Sequence, residues 1–187
     1  MKQIPSVDLR DFLSGEPERK QKFVNEIGKA YEEIGFVALK GHFLNDQLVD
    51  ELYDEVKQFF ELPVETKQKY EIPGIGGQRG YVGFGKETAK GFKKGDLKEF
   101  WHFGQYLENG SKYATEYPDN IEVTENSKFN VVGKEAFQML EKTGIYVLRA
   151  LALHLGLDEF YFDKYVAEGN SILRPIHYPP ITEEPDN

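Results

Sequence analysis

Ser171–Pro180 reads SILRPIHYPP. The pattern predicts a buried strand over Ser171–Tyr178 that carries Arg174, His177 and Tyr178, closed by two prolines and the acidic ITEEPDN. What such a strand belongs to, so near Asn187, decides whether this chain can do chemistry by itself.

The rest of the chain supplies its neighbours. At 187 residues, 40% hydrophobic and 29% charged, the composition is that of one ordinary globular core. Fourteen Phe and eleven Tyr favour an aromatic interior or an aromatic-lined pocket. A formal net charge of −9 opposes general attraction to nucleic acid or anionic membranes. With no cysteine, disulfides, thiolate metal sites and cysteine nucleophiles are excluded. The N-terminus lacks a signal-peptide core, and Ile145–Leu157, the most apolar stretch, is too short to span a bilayer. A cytoplasmic protein is expected, and Asn109–Ser111 (NGS) is read as a chance sequon.

IPSVDLRDF predicts a strand and turn. Phe23, Ile27, Ala30, Tyr31 and Ile34 recur at helical spacing and predict a helix over Glu18–Glu33, stopped by Gly35. FVALKG predicts a short buried strand. Asn45 is a good N-cap for a second helix carrying Leu48, Leu52, Val56, Phe59 and Phe60. PVETKQKY adds a helical turn, LKEFWHFG a strand, and Gln105–Ser127 an irregular polar loop. The longest helix is placed from about Asn130 to Leu155, ended by Gly156, and as the most apolar should be the most buried element.

Several motifs fail on their chemistry. GYVGFGKE, Gly80–Glu87, approaches a phosphate loop, but Glu87 stands where a hydroxyl should hold magnesium. GIGGQRG is off-register for a dinucleotide fingerprint because Arg79 occupies the third glycine position. Lys86, Lys90, Lys93, Lys94 and Lys98 read as a solvated loop, lacking the aromatics on a defined face that nucleic-acid binding needs. None of His42, His102, His154 and His177 has an Asp or Glu two residues on, and no H-E-x-x-H pair exists. Each histidine reads as structural or surface rather than a ligand, and the residues alone give no complete catalytic constellation.

Six segments in order nevertheless resemble the N-terminal half of the isopenicillin N synthase-like iron(II)/2-oxoglutarate-dependent dioxygenases: IPSVDL, AYEEIGFVALKGH, FFELPVETKQKY, RGYVGFGKE, DLKEFWHFG and LRPIHYPP. The resemblance implies an α+β fold. A helical N-terminal region, residues 1–125, would precede a long helix and the first core strand of a double-stranded β-helix, residues 126–187. Such a jelly roll needs about eight strands, so it is incomplete here. In that family an H-x-D pair, a distal histidine and an R-x-S motif follow the YPP strand; the first three bind iron and the last binds 2-oxoglutarate. None lies before Asn187. The resemblance therefore implies the front part of an oxidoreductase that uses Fe(II), 2-oxoglutarate and O₂ to hydroxylate, desaturate or cyclise a small molecule. This chain alone is expected to be inactive and to bind no iron through the family ligands. The resemblance places Tyr178 on the cofactor side, where a neutral phenol can donate to a carboxylate, and Tyr81 and Phe103 on the substrate side. It does not single out Arg174, a candidate carboxylate partner by charge alone. The alternative is a non-catalytic binding module that covers the edge of its terminal strand, for instance by self-association.

Overall fold

The computed structural model describes residues 3–88, 91 and 95–180. Lys90, Lys93, Lys94 and the acidic tail lie outside the described residues. In chain order the elements are β1 (Ser6–Asp8), α1 (Leu9–Phe12), α2 (Pro17–Glu33), β2 (Ala38–Lys40), α3 (Asp46–Phe60) and α4 (Val64–Lys67). A 3₁₀ turn (Gln68–Tyr70), β3 (Gly80–Val82), β4 (Glu99–Gly104), α5 (Ser127–His154), α6 (Asp163–Val166), β5 (Ile172–Leu173) and β6 (Ile176–His177) follow. The chain divides into two compact units, Met1–Val49 with Gln138–Gly169, and Asp50–Phe137 with Asn170–Asn187.

In the first unit, α2 begins with Pro17 at its first turn, where the missing N–H costs nothing, and ends at Gly35 with φ +79°. Its apolar stripe, Phe23, Val24, Ile27 and Ala30, is buried with Val7, Leu9, Phe12 and Ala150; Tyr31, expected in that stripe, is 40% exposed. β1 and β2 pair in parallel, Val7 opposite Leu39. β2 is not the buried strand expected: Ala38 and Lys40 are exposed and Leu39 only half-buried, because among the described residues β1 is its one partner strand. Gly28 makes room for His154, whose ring a Cβ would meet at 2.2 Å.

In the second unit the sheet decides the geometry. β4 is central, antiparallel to β3 on one flank and to β5 and β6 on the other. The run expected as one strand over Ser171–Tyr178 is divided at Arg174–Pro175, since proline has no N–H to give a ladder. Pro175 O accepts from Trp101 N at 3.1 Å instead, and β5 and β6 keep one register across the gap. The strand is also less buried than expected. Leu173, Pro175 and His177 are half-buried, while Ile172, Arg174, Ile176 and Tyr178 on the alternate side are exposed.

Every residue of β4 is buried, and it replaces α5 as the most buried element. α5 keeps Phe129, Val132, Ala136, Phe137, Ala150 and Ala152 inside but leaves Val131 and Leu140 exposed. Asn45 caps α3 as its sequence predicts, Oδ1 accepting from Leu48 N at 2.9 Å, a contact worth about 1 kcal/mol.

Candidate functional site: two faces of one strand

Alternation along β4 sends Glu99, Trp101 and Phe103 to one face and Phe100 and His102 to the other. The first face is an aromatic core of Phe59, Phe60, Tyr70, Tyr81, Trp101, Phe103, Phe129 and Phe137. Phe59 stacks on Phe129 and meets Trp101 edge-on, ring centroids 4.9 and 5.0 Å apart. Gly133 on α5 lets Phe103 approach; a Cβ there would lie 2.1 Å from the Phe103 ring.

Within these rings sits one carboxylate. Glu99 Oε2 accepts from Lys67 Nζ at 2.7 Å and from the Tyr81 hydroxyl at 2.5 Å, and Oε1 from His177 Nδ1 at 2.8 Å. Lys67 Nζ also donates to Phe60 O at 2.8 Å. Burial pushes the Glu99 carboxyl up, but the hydrogen bonds from Lys67, Tyr81 and His177 outweigh it and hold the group below its ordinary value. Burial, reinforced by Glu99, pushes the Tyr81 phenol well up. His177 stacks on Phe60, centroids 5.4 Å apart, so β6 is tied to the core just before Tyr178.

The second face carries different chemistry. His102 Nδ1–H donates to Gly77 O, and Nε2 accepts from Arg174 Nε, both at 2.5 Å. Burial pushes the imidazole down to about 4. Arg79 is fully buried: Nη1 donates to Gln78 O, Nη2 to Asn170 Oδ1, and Nε has no hydrogen-bond partner among the described residues. Gly104 is required there, because a Cβ would stand 1.8 Å from Arg79 Cζ. Asn120 ends the strand by accepting from Gly104 N at 2.8 Å and donating to Gly104 O at 3.0 Å.

Two clefts open beside the sheet. One of about 560 Å³ is bounded by Phe103, Tyr106, Tyr117, Asn120 and Lys134, and its Tyr106 phenol is pushed up to about 12 by burial. The other, of about 430 Å³, is bounded by Glu71, Tyr81, Val82, Glu87 and Phe100. Tyr81 and Phe103 thus share the aromatic core but line different clefts. Tyr178, 67% exposed, follows His177 and by alternation points the other way. Sequence reasoning missed Lys67, Arg79, Glu99 and the roles of His102 and His177. The signal for Glu99 was an acid at a core-face position of the apolar strand EFWHF.

Among the described residues no group of three His, Asp or Glu could hold a metal ion. His102 is flanked by a guanidinium and a carbonyl, His177 by Glu99 and His154 by Glu32, while His42 is exposed. These donors do not fit an iron site.

Residues 4–125 match the family model for the N-terminal region of the non-haem dioxygenases, described as non-haem dioxygenase in morphine synthesis N-terminal. The chain belongs to the iron(II)/2-oxoglutarate-dependent dioxygenase family. It is 30% identical to a 2-oxoglutarate-dependent dioxygenase of a Dothideomycetidae species, over 94% of this chain and 54% of that protein. A 2OG-Fe(II) oxygenase family protein from Caulobacter crescentus superposes with a TM-score of 0.86 at 37% identity, covering 98% of this chain and 59% of that one. A full-length Neurospora crassa protein, solved with alpha-KG and thymine, superposes with a TM-score of 0.77 at 27% identity over 94% of this chain and 55% of its own. The chain spans about half the length of the curated relatives it matches. Among the described residues no helix is long and apolar enough to cross a membrane.

Proposed function

We propose that the chain is the N-terminal part of an iron(II)/2-oxoglutarate-dependent oxidoreductase acting on a small molecule with O₂, and that by itself it lacks the iron ligands. One observation carries this reading: among the described residues β5 and β6 pair with β4 alone, and their alternate face, Ile172, Arg174, Ile176 and Tyr178, is exposed. Such a sheet is what the first strand of a double-stranded β-helix presents when its remaining strands are supplied elsewhere. In this reading residues 1–125 form the N-terminal region, and 126–187 open the oxygenase domain. Tyr178 takes a carboxylate of 2-oxoglutarate, which supplies the two electrons for oxygen activation as it is decarboxylated. Tyr81 and Phe103 serve the substrate side through the clefts they line.

The test is 2-oxoglutarate-dependent succinate release by a protein in which this chain continues through an H-x-D pair. Replacing Tyr178→Phe should raise the 2-oxoglutarate concentration needed by about tenfold, the worth of one hydrogen bond to a charged group. No succinate release, or an unchanged requirement, contradicts the corresponding half of the proposal.

A further inference from the structure

Glu99 and His177 stand directly opposite in the ladder between β4 and β6, so their side chains share a face, and Glu99 Oε1 accepts from His177 Nδ1 at 2.8 Å. This contact belongs to a closed circuit. Lys67 Nζ donates to Phe60 O at 2.8 Å and to Glu99 Oε2 at 2.7 Å. Glu99 holds His177, and the His177 ring stacks back on the ring of Phe60, centroids 5.4 Å apart. From β3 the Tyr81 hydroxyl donates to Glu99 Oε2 and braces the carboxylate. The imidazole is therefore fixed twice, at one ring nitrogen and across one face. A histidine ring otherwise turns over a broad range about its second torsion.

What this rigidity serves lies one residue on. Among the described residues β6 ends at His177, and Tyr178 is 67% exposed. Pro179 and Pro180 follow, and neither has an N–H to give a neighbouring strand. Pro179 also restricts Tyr178 to extended backbone. The direction of Tyr178 is thus set by its last anchored neighbour, His177. An apolar side chain would fill the space over Phe60 equally well. A buried carboxylate is costly unless it is bonded on every side, and its best-attested use is to fix register.

We propose that His177 is a positioning residue for Tyr178. Oriented by Glu99, with Lys67 and Tyr81 behind the carboxylate, it sets the place and direction of the phenol that takes a carboxylate of 2-oxoglutarate, an inference resting on the role proposed for Tyr178 above. The donor on Nδ1 carries this effect, and the stack on Phe60 is secondary to it.

The test uses a protein in which this chain continues through an H-x-D pair, and the 187-residue chain itself. In the first, His177→Phe keeps a ring over Phe60 and removes the Nδ1–H donor. It should raise the KM for 2-oxoglutarate about tenfold and leave kcat and the KM of the small molecule unchanged. His177→Asn, whose Nδ2–H stands where Nδ1–H stood, should restore most of that loss although it gives up the stack. In a Tyr178→Phe background His177→Phe should add nothing, because both changes remove the same interaction. In the ¹⁵N-labelled 187-residue chain His177 should carry a proton on Nδ1. There His177→Phe should raise the mobility of the Tyr178 amide in ¹⁵N relaxation while the Trp101 amide stays rigid. Loss with His177→Asn but not with His177→Phe, effects that add to those of Tyr178→Phe, a bare Nδ1, or an unmoved Tyr178 amide would each overturn the proposal. Should Tyr178→Phe itself leave the 2-oxoglutarate requirement unchanged, the role given to Tyr178 falls instead, and the amide measurement still decides whether His177 holds that residue in place.

Discussion

Lys67 Nζ and Glu99 Oε2 stand 2.7 Å apart with side chains 4% and 1% exposed, an ion pair enclosed by aromatic rings. Removing Lys67 leaves the Glu99 carboxylate with only the Tyr81 and His177 hydrogen bonds and no lysine beside it, in a place water cannot reach. Lys67→Met should therefore cost about 3–5 kcal/mol. Lys67→Met combined with Glu99→Leu should recover a large part of that loss, because no lone charge remains. Urea unfolding of both variants and the parent checks it; a single variant within about 1 kcal/mol of the parent would contradict the pairing.

Acid should unfold the second unit in two stages. His102 takes up a proton at about 4 in the folded chain against 6.5 ordinarily, so the unfolded chain binds that proton first. Its contribution is complete above pH 6.5 and declines as the pH falls toward 4, by up to about 3 kcal/mol. Glu99, held below its ordinary 4.5, contributes above that value and loses its contribution as the pH drops further through its folded value. Stability measured across this range should slope downward with acid, and His102→Gln should flatten the part between pH 6.5 and 4. An unchanged slope in that variant contradicts the assignment.

Asn120 acts as a substitute peptide for the end of β4, exchanging bonds of 2.8 and 3.0 Å with Gly104 and donating to Gln105 O at 3.2 Å. Asn120→Ala should cost about 1–3 kcal/mol and speed hydrogen exchange at the Gly104 amide ahead of Trp101. Equal exchange in parent and variant would show that the strand end is held otherwise.

Among the described residues the outer edge of β5 and β6 has no partner strand. Isolated chains should pair along it as concentration rises, and Ile172→Lys, placing a charge on the exposed face, should keep them monomeric. Sedimentation velocity over a range of concentrations decides between the two; a parent that stays monomeric removes the edge as a contact.

Local signals were legible in the sequence and long-range pairings were not. Asn45, Gly35 and the spacing of Phe23, Ile27 and Ala30 fixed helix ends and faces, because caps and periodicity act within a few residues. The order of six short segments identified the family, which the family match over residues 4–125 supports. Apolar content misjudged α5, since a long helix exposes one side however apolar it is, whereas β4 is covered on both faces by neighbours remote in sequence. The Lys67–Glu99 and His102–Arg174 contacts span 32 and 72 residues, and no local pattern announces them. Pro175 gave a signal for the break in the last strand that the smooth alternation around it obscured.

We proposed above that the described strands line an iron site whose metal ligands this polypeptide does not itself supply. An anaerobic titration of the 187-residue chain with Fe(II), in the presence of 2-oxoglutarate and followed by visible absorption, tests it most directly. No charge-transfer band should appear at any ratio; a band that saturates at one iron per chain and vanishes without 2-oxoglutarate would overturn the proposal.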